Sequence, residues 1–409
     1  MLIRRRHLIT NALATAMIGA TGLRASADEP TMPWPSVAKL INGYIEQRRY
    51  AGVTTVIGSG DAPPSYMNAG TLAFDGQAIV TNDSIFRLYS VTKAFTAVLT
   101  LIMVENGKLR LDQPVAEILP ELSQSAVATE PKISLAARPA TGTMTIEHLL
   151  THTSGLSNWQ PFLGDNPVSN AYRRNGLTPG AYGAHKRRPG YGPQVQGLDA
   201  LIAGLAELPL IAEPGTAWNY SIGYDVLGAV IERVTGKSFA TVMHDYIIAP
   251  LNMHSSGFQV PTLQLSRLTT LYGRTGDETY VIDAPATSDF ARPPGLVAGG
   301  GGLVSTARDM ARFADMLLNE GLSDGRRIAK AETINQAIQL FSVQRAAQSI
   351  MPGKIILSAV GASSTILHVD RERRMFAVFL AQLNRTGSPA AATTYRPELL
   401  AAIEADLAR

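Results

Sequence analysis

The stretch IFRLYSVTKAFTAVLTLIMVENGKLRLDQPVAEILP, residues 85–120, decides the fold of this 409-residue chain. Within it, residues 91–106 are apolar on nearly all sides, and Gly107 follows as a residue that commonly ends helices. A helix that is apolar all round lies inside a protein rather than on its surface. We therefore predict a buried central helix over 91–106 that begins directly after Ser90.

Periodic patterns on both sides of this helix indicate further helices and strands. Helical spacing predicts helices over 34–48, 145–152, 199–207, 223–248, 305–319 and 394–408, and alternation predicts strands over 52–58, 66–73, 364–369 and 375–381. The strands come from both ends of the chain and most helices from its middle. We therefore predict an α+β fold, with an antiparallel sheet flanked by helices built from 34–100 and 300–409 and a mostly helical part over about 101–299.

The first residues have the features of an export signal. Three arginines at 4–6 precede a mostly apolar run over 8–23, and Ala-Ser-Ala at 25–27 fits a cleavage site. We predict that residues 1–27 form a secretory signal peptide, that 28–409 form the exported protein, and that it is periplasmic or secreted. The paired arginines resemble a twin-arginine signal. A membrane anchor is the alternative, but the run is shorter than the roughly 20 residues that span a bilayer.

The composition excludes several classes of protein. The net charge of +3 becomes about −1 when residues 1–27, with four arginines and no acids, are removed, and no basic stripe remains for binding nucleic acid. The chain has no cysteine, which excludes disulfides, a thiol nucleophile and thiolate metal ligands. We expect no membrane span after signal cleavage, and the oligomeric state stays open.

A tetrapeptide at the start of the central helix carries candidate chemistry. Ser90-Val91-Thr92-Lys93 fits the pattern S-x-x-K, which places the lysine one turn after the serine on the same helix face. A serine hydroxyl needs a base, and a lysine serves only while neutral, a form that apolar surroundings would favour. A second match, Ser36-Val37-Ala38-Lys39, is interpreted as the first turn of the opening helix, without chemistry.

Other blocks follow in a set order. TIEHLLTHTSGL lies at 145–156, PGTAWNYSIGYDVLGAVIERVTG at 214–236 and GGGGLVSTARDMARFADML at 299–317. With the central-helix stretch, these blocks make the chain resemble the class C β-lactamase-like superfamily of penicillin-recognising serine hydrolases, which includes family VIII carboxylesterases and D-alanyl-peptidases. The resemblance covers roughly 34–320 well and 355–385 more weakly.

The resemblance implies roles for individual residues. Ser90 matches the acylated serine, Lys93 the lysine that activates it, and Tyr220 the tyrosine that shares general-base duty. A phenol acts as a base only when nearby positive charge, here that of Lys93, favours its ionised form. Trp218, two residues before Tyr220, is expected at the substrate. The alternative for Tyr220 is a buried aromatic residue with a satisfied hydroxyl.

The third element of the superfamily is K-T-G, H-T-G or W-G-G on an inner strand, and here it is altered. The best match is Ala359-Val360-Gly361, which keeps only the glycine. We expect Gly361 and Ala362 to contact the substrate, with the Ala362 N–H as an oxyanion donor. Ile222 stands where the β-lactamases carry asparagine, which argues against β-lactam hydrolysis.

Three other features have simpler interpretations. His148 and His152 have metal-ligand spacing but lack the glutamate of H-E-x-x-H, so His152 is expected to fix its turn by hydrogen bonding, and no metal is expected. Gly299–Gly302 indicates a tight turn beside the cleft rather than a phosphate cradle. The irregular segment 157–198 either lines the substrate pocket or is an exposed flexible loop.

These inferences favour a serine hydrolase that cleaves small carboxylic esters through an acyl-enzyme on Ser90, with a small-molecule ester or amide as its partner and no cofactor. Two alternatives stay open. One is action on β-lactams or D-amino-acid peptides of the cell wall. The other is a relative that binds a ligand without catalysis.

Overall fold

The computed structural model is organised around a five-stranded antiparallel sheet. It describes residues 34–183, 189–276, 278–346, 356–384 and 394–409, all within the unit Trp34–Arg409. The predicted signal peptide lies outside the described residues. Among the described helices, none is both long and apolar enough to cross a membrane.

The helices and strands have the following bounds. The strands are β1 (Gly52–Ser59), β2 (Ser65–Gly70), β3 (Phe86–Arg87), β4 (Ala126–Ala128), β5 (Ala137–Pro139), β6 (Leu271–Thr275), β7 (Glu278–Asp283), β8 (Val304–Ser305), β9 (Leu322–Ser323), β10 (Arg326–Arg327), β11 (Ile356–Gly361), β12 (Thr365–Asp370), β13 (Met375–Leu380) and β14 (Leu383–Asn384). The helices are α1 (Pro35–Glu46), α2 (Thr92–Glu105), α3 (Ile146–Leu150), α4 (Pro167–Arg174), α5 (Gly197–Ala206), α6 (Gly223–Thr235), α7 (Phe239–Met243), α8 (Ala307–Leu318), α9 (Ala331–Ala346) and α10 (Tyr395–Leu407).

The main sheet joins the two ends of the chain. Its strand order is β11-β12-β13-β1-β2, so β1 lies between its neighbour in sequence and a strand from more than 300 residues later. Thr55 of β1 pairs with Met67 on one side and with Phe379 on the other. This arrangement confirms the prediction of an antiparallel sheet built from both chain ends.

Both faces of the main sheet are covered by helices. Val53 and Ile57 of β1 belong to the same apolar cluster as residues of α1 and α10. Val56, which points to the opposite face, belongs to a larger cluster that includes α2 and α8. Because helices cover both faces, β1 is buried continuously over residues 52–58 instead of at every second residue.

The helical part of the chain surrounds α2. This helix is buried along nearly its whole length, as the apolar sequence of 91–106 predicts. The predicted long helix over 223–248 is instead divided, because Gly236 ends α6 in a left-handed conformation (φ 67°) and Ser238 caps the start of α7. A π-helical turn, His244–Ile248, follows α7.

Several elements lie where no helix or strand was predicted. Strands β6 and β7 form a second, three-stranded sheet with β14, although they fall in the part expected to be helical. Helix α4 interrupts the segment 157–198, and its N-terminus is capped by the side chain of Asn166. Helix α9 and strand β11 were also not predicted.

Candidate active site

The predicted nucleophile lies in a strained turn at the start of α2. A single 3₁₀ turn, Tyr89–Val91, leads directly into the helix. Tyr89 has a φ of 45°, a left-handed conformation that costs a bulky residue on the order of 1–3 kcal/mol. The turn places Ser90 at the wall of a pocket, half-buried.

Buried polar contacts hold the chain just before this turn. The fully buried guanidinium of Arg87 forms an ion pair with Asp283 of β7, with Nε 2.8 Å from the carboxylate. The Ser363 hydroxyl donates to the Arg87 carbonyl at 2.8 Å, and the Thr365 hydroxyl donates to the Leu88 carbonyl at 3.1 Å. These contacts join both sheets to the backbone that carries Ser90.

The structure brings the three predicted catalytic residues together. The Tyr220 hydroxyl donates to Ser90 Oγ at 2.8 Å, within the range in which a proton can be transferred. Lys93 Nζ lies 3.5 Å from the same oxygen and 4.8 Å from the centre of the Tyr220 ring. Residues 130 positions apart in the chain therefore meet at one hydroxyl.

The surroundings of Lys93 differ from the apolar environment expected from the sequence. Its side chain is buried, and Nζ donates a hydrogen bond to the Gly300 carbonyl at 2.6 Å. Nζ also lies over the rings of Tyr220 and Tyr224, 5.9 Å from the centre of the latter. A carbonyl oxygen and two aromatic faces all interact favourably with a positive charge.

A buried histidine supports the loop that carries Tyr220. The ring of His152 lies 4.6 Å from the Tyr220 ring, and its Nδ1 accepts the Ser221 N–H at 3.2 Å. Its carbonyl accepts the Asn219 N–H at 2.8 Å. Burial, with a smaller contribution from the charge of Lys93, lowers the pKa of His152 well below its usual value. The neutral ring therefore fixes the loop that carries Tyr220 by hydrogen bonding, whereas the sequence predicted that it would fix its own turn.

Trp218 and His148 lie outside the pocket wall. The Trp218 ring is 6.1 Å from His152 and 6.4 Å from Tyr220, and among the described residues it is not one that lines the pocket. Its contact with substrate stays a prediction. His148 Nδ1 accepts the Thr145 N–H at the start of α3. In the described ranges, no group of three or more histidines or carboxylates could hold a metal ion.

Two described parts of the irregular segment 157–198 form one wall of the pocket. Asn158, Trp159 and Gln160 line it, as do Pro179 and Gly180 further along. The Trp159 indole donates to the Pro179 carbonyl at 3.0 Å, which ties the two parts of this wall together. Of the two interpretations of this segment, the structure supports the pocket wall.

The altered third motif reaches the site through its glycine. Gly361 ends β11, and a Cβ there would lie 2.3 Å from the Leu88 carbonyl oxygen, so only glycine lets the strand approach the nucleophile turn this closely. Ala362 lines the same pocket as Ser90, whereas Ala359 is buried in the main core. The Ala362 N–H as oxyanion donor stays a prediction.

Asp225 is a site residue that the sequence analysis missed. It lines the pocket, and its Oδ1 accepts the Gly300 N–H at 2.9 Å. Burial raises the pKa of Asp225 to about 6, although Lys93 and the Gly300 N–H act in the opposite direction. A signal was present in the sequence, since an acidic residue next to the apolar run Val226–Ile231 would be buried with it.

The sequence matches an established family. The family model described as Beta-lactamase matches residues 37–402, so the chain belongs to the β-lactamase family. The membership expected from the sequence blocks and their order is thereby confirmed.

Relatives of known sequence include an esterase. The chain is 31% identical over 285 residues to Protein Rv1367c of Mycobacterium tuberculosis (strain ATCC 25618 / H37Rv), covering 69% of this chain and 66% of that protein. It is 32% identical over 266 residues to Esterase EstB of Burkholderia gladioli, covering 60% of this chain and 61% of that protein. The aligned parts thus span about two thirds or less of these relatives, and the esterase among them supports the prediction of a serine hydrolase.

Solved structures share the fold over almost the whole chain. EstCE1, titled a hydrolase with promiscuous acyltransferase activity, matches with a TM-score of 0.71 and 22% identity, covering 91% of this chain and 98% of that one. A class C beta lactamase from Rhodobacter sphaeroides matches with a TM-score of 0.63 and 20% identity, covering 90% and 99%. These likenesses confirm the predicted fold class.

Proposed function

We propose that this protein is an exported serine hydrolase that cleaves small carboxylic esters through an acyl-enzyme on Ser90. The observation that carries the proposal is the 2.8 Å contact between the Tyr220 hydroxyl and Ser90 Oγ, with the Lys93 ammonium over the Tyr220 ring. A strained turn at a helix N-terminus presents the serine. The named activity of the esterase among the relatives supports the choice of reaction.

Acylation begins with the proton of Ser90. In the proposed step the phenolate of Tyr220, with Lys93 Nζ over its ring, takes the Ser90 proton while Oγ attacks the ester carbonyl carbon. The carbonyl electron pair moves to oxygen, where backbone N–H groups of Ser90 and Ala362 would receive it. When the tetrahedral intermediate collapses, the carbon–oxygen bond to the alcohol breaks, and Tyr220 returns the proton to the leaving alcohol.

Deacylation repeats these steps with water. Tyr220 takes a proton from a water molecule, whose oxygen attacks the acyl carbon and forms a second tetrahedral intermediate. Collapse of this intermediate breaks the bond to Ser90 Oγ, and the proton passes from Tyr220 back to the serine. The carboxylic acid product leaves, and every group of the site is restored.

Two departures from the motifs of the superfamily favour a neutral ester over a β-lactam or a D-amino-acid peptide. The buried apolar side chain of Ile222 lines the wall where the β-lactamases carry an amide. The third motif has Ala359 in place of a basic first residue, so it supplies no cation for a substrate carboxylate. We therefore propose β-lactams and cell-wall peptides only as the alternative substrates.

The proposed export rests on residues 1–27 alone, which lie outside the described residues. Fractionation of cells that make the full-length chain, followed by determination of the N-terminal residue of the mature protein, tests this part. Mature protein in the soluble exported fraction, beginning near residue 28, supports it.

The reaction is tested with a short-chain nitrophenyl ester and the purified protein beside Ser90→Ala. Turnover by the parent alone, with a burst near one equivalent of nitrophenol, supports the acyl-enzyme. A chromogenic cephalosporin is tested in parallel, and faster turnover of it would favour the β-lactam alternative. If neither substrate reacts and no acyl group from either is trapped on Ser90, the result favours a relative that binds a ligand without catalysis. Equal activity of parent and variant would exclude Ser90 as the nucleophile.

A further inference from the structure

Asp225 is a buried acidic residue that the reaction above does not use. It lies in the first turn of α6 and is 4% exposed. Its carboxylate accepts the Gly300 N–H at 2.9 Å, and the carbonyl of the same glycine accepts a hydrogen bond from Lys93 Nζ at 2.6 Å. Gly300 therefore links the Asp225 carboxylate to Lys93 Nζ through its backbone N–H and carbonyl.

The approach of the two charged groups leaves no room for a side chain between them. A Cβ on Gly300 would lie 2.8 Å from Asp225 Oδ2 and 3.2 Å from Lys93 Nζ. Both groups thus lie beside Gly300 in the protein interior. Opposite charges at such a place attract far more strongly than on the surface, because little water screens them.

The turn around Gly300 is fixed from two helices. From α2, Thr96 Oγ1 donates to the Gly299 carbonyl at 2.7 Å and Thr92 Oγ1 accepts the Leu303 N–H at 3.2 Å. Asp225 contributes the contact from α6. Because α2 already holds both ends of the turn, the negative charge of Asp225 is not needed merely to keep the turn in place.

We propose that Asp225 is a positioning residue whose negative charge, next to Gly300, holds the Lys93 side chain directed at Ser90 and Tyr220. The inference rests on the proposed function, because it assigns a task within the same site. Asp225 touches neither the nucleophile nor the reacting carbonyl. It acts through Lys93, whose Nζ lies over the ring of Tyr220, the proposed base for the serine proton.

The ionisation of Asp225 gives this role a pH signature. The titratable groups that face it are Lys93 from α2 and Tyr182, whose pKa rises through burial and, in smaller part, through the charge of Asp225. Because burial raises the pKa of Asp225 to about 6, the carboxylate forms as pH rises through that value. The acylation rate should therefore rise with pH across this range.

The experiment measures the rate at which a fluorophosphonate probe phosphonylates Ser90, located by mass spectrometry. This reagent reports activation of the serine whatever the natural substrate. Asp225→Asn keeps an acceptor for the Gly300 N–H and removes the charge. We expect its rate at pH 8 to fall by about 10- to 100-fold and the rise near pH 6 to disappear.

Asp309→Asn is the matched control. Asp309 is also buried, its pKa is also raised by burial, and its carboxylate accepts the Ser255 N–H at 2.8 Å away from the pocket. This variant should keep both the parent rate and the rise near pH 6.

Thermal unfolding separates a positioning role from a structural one. A carboxyl whose pKa is raised in the folded state binds more protons there than in the unfolded chain, so its charge destabilises the fold above the raised pKa. Asp225→Asn should therefore melt at the same or a higher temperature than the parent at pH 8. A lower melting temperature together with a lower rate would show that Asp225 is structural and would overturn the proposal.

The remaining outcomes distinguish this inference from the function on which it rests. If the parent is labelled, Ser90→Ala is not, and Asp225→Asn is labelled at the parent rate, the role of Asp225 is overturned while the acyl-enzyme stands. If the parent is not labelled, or Ser90→Ala is labelled equally at another residue, the proposed function itself fails, and the role of Asp225 fails with it.

Discussion

Two tetrapeptides of this chain fit the same pattern and begin helices, but only one lies at a site. At α1, the Ser36 N–H donates to the Asp406 carboxylate at 2.9 Å, and Lys39 is exposed to solvent. At α2, Ser90 contacts Tyr220 while Lys93 is buried. The spacing of serine and lysine is identical, so the chemistry depends on what the rest of the fold brings to each turn.

The difference begins with the helices themselves. Helix α1 buries one face only, through Val37, Ile41 and Tyr44, so its lysine is free to point to water. Helix α2 is surrounded by protein, and its lysine must find partners inside. A buried amine without an acceptor would be costly, and the Gly300 carbonyl supplies one. Burial of the whole helix therefore distinguishes the functional motif from the chance match.

The largest expected difference between the two motifs appears when their serine hydroxyls are removed one at a time. Ser90→Ala should lower kcat/KM for a nitrophenyl ester by about 10⁴-fold or more, because no nucleophile remains. Ser36→Ala should leave the rate unchanged, since the contact with Asp406 uses the backbone N–H. Steady-state kinetics of the two variants test this pair. A similar loss in both would mean that the comparison of the two motifs is mistaken.

The two lysines should differ almost as much. Lys93→Met keeps the apolar stem and removes the charge over the Tyr220 ring, and we expect a loss of about 10³-fold in kcat/KM. Lys39→Met changes an exposed side chain and should have no effect. Steady-state kinetics of the two variants with the nitrophenyl ester test this pair. Parent-like activity of Lys93→Met would remove the lysine from the mechanism.

The tyrosine is the partner that the α1 motif lacks. Tyr220→Phe keeps the ring that packs on His152 and removes the hydroxyl that contacts Ser90, so kcat/KM should fall by about 10²-fold. Tyr224→Phe is the control, because its hydroxyl donates to the Leu150 carbonyl and not to the serine. Burst kinetics should locate the loss of Tyr220→Phe in acylation. An equal loss in both variants would indicate damage to packing instead.

The smallest effect concerns stability at the α1 motif. Burial tends to raise the pKa of Asp406, but hydrogen bonds from Ser36 and Val37 prevail and lower it. The carboxylate thus stabilises the fold above the unfolded-state pKa, and this contribution is lost as pH falls through the lower, folded-state value. Asp406→Asn should cost about 1 kcal/mol at pH 7, as loss of a helix cap does, with unchanged activity. Urea unfolding at pH 7 measures the cost, and a change in ester turnover would contradict it.

The sequence predicts most of the fold and the reacting side chains. Helix α2 and the strands β1, β2, β12 and β13 follow from local patterns. Ser90 and Lys93 fit a motif with set spacing, and the resemblance to the superfamily implies their roles and that of Tyr220. Helix α4 was missed because it is short and lies in a segment rich in glycine and proline. Strand β11 was missed because the chain before it carries no strand pattern.

The sequence could not predict contacts between residues that lie far apart in the chain. The hydrogen bond between Asp225 and Gly300 depends on how α6 packs against the turn at 299–302. The local sequence of neither segment indicates that the two are neighbours in the fold. The acceptor for Lys93 Nζ is the backbone carbonyl of Gly300, a group that every residue type carries. The same holds for the contact of Gly361 with the Leu88 carbonyl.

The strand order of the main sheet has a consequence for how the protein is made. During synthesis, β1 leaves the ribosome with β2 but without β13, its other neighbour, which is encoded more than 300 residues later. Until that strand arrives, β1 presents an unpaired edge that can join other chains. Pairing over so long a separation is slow. The nascent chain therefore needs protection from aggregation until nearly its whole length has been translated, and only then can it become active.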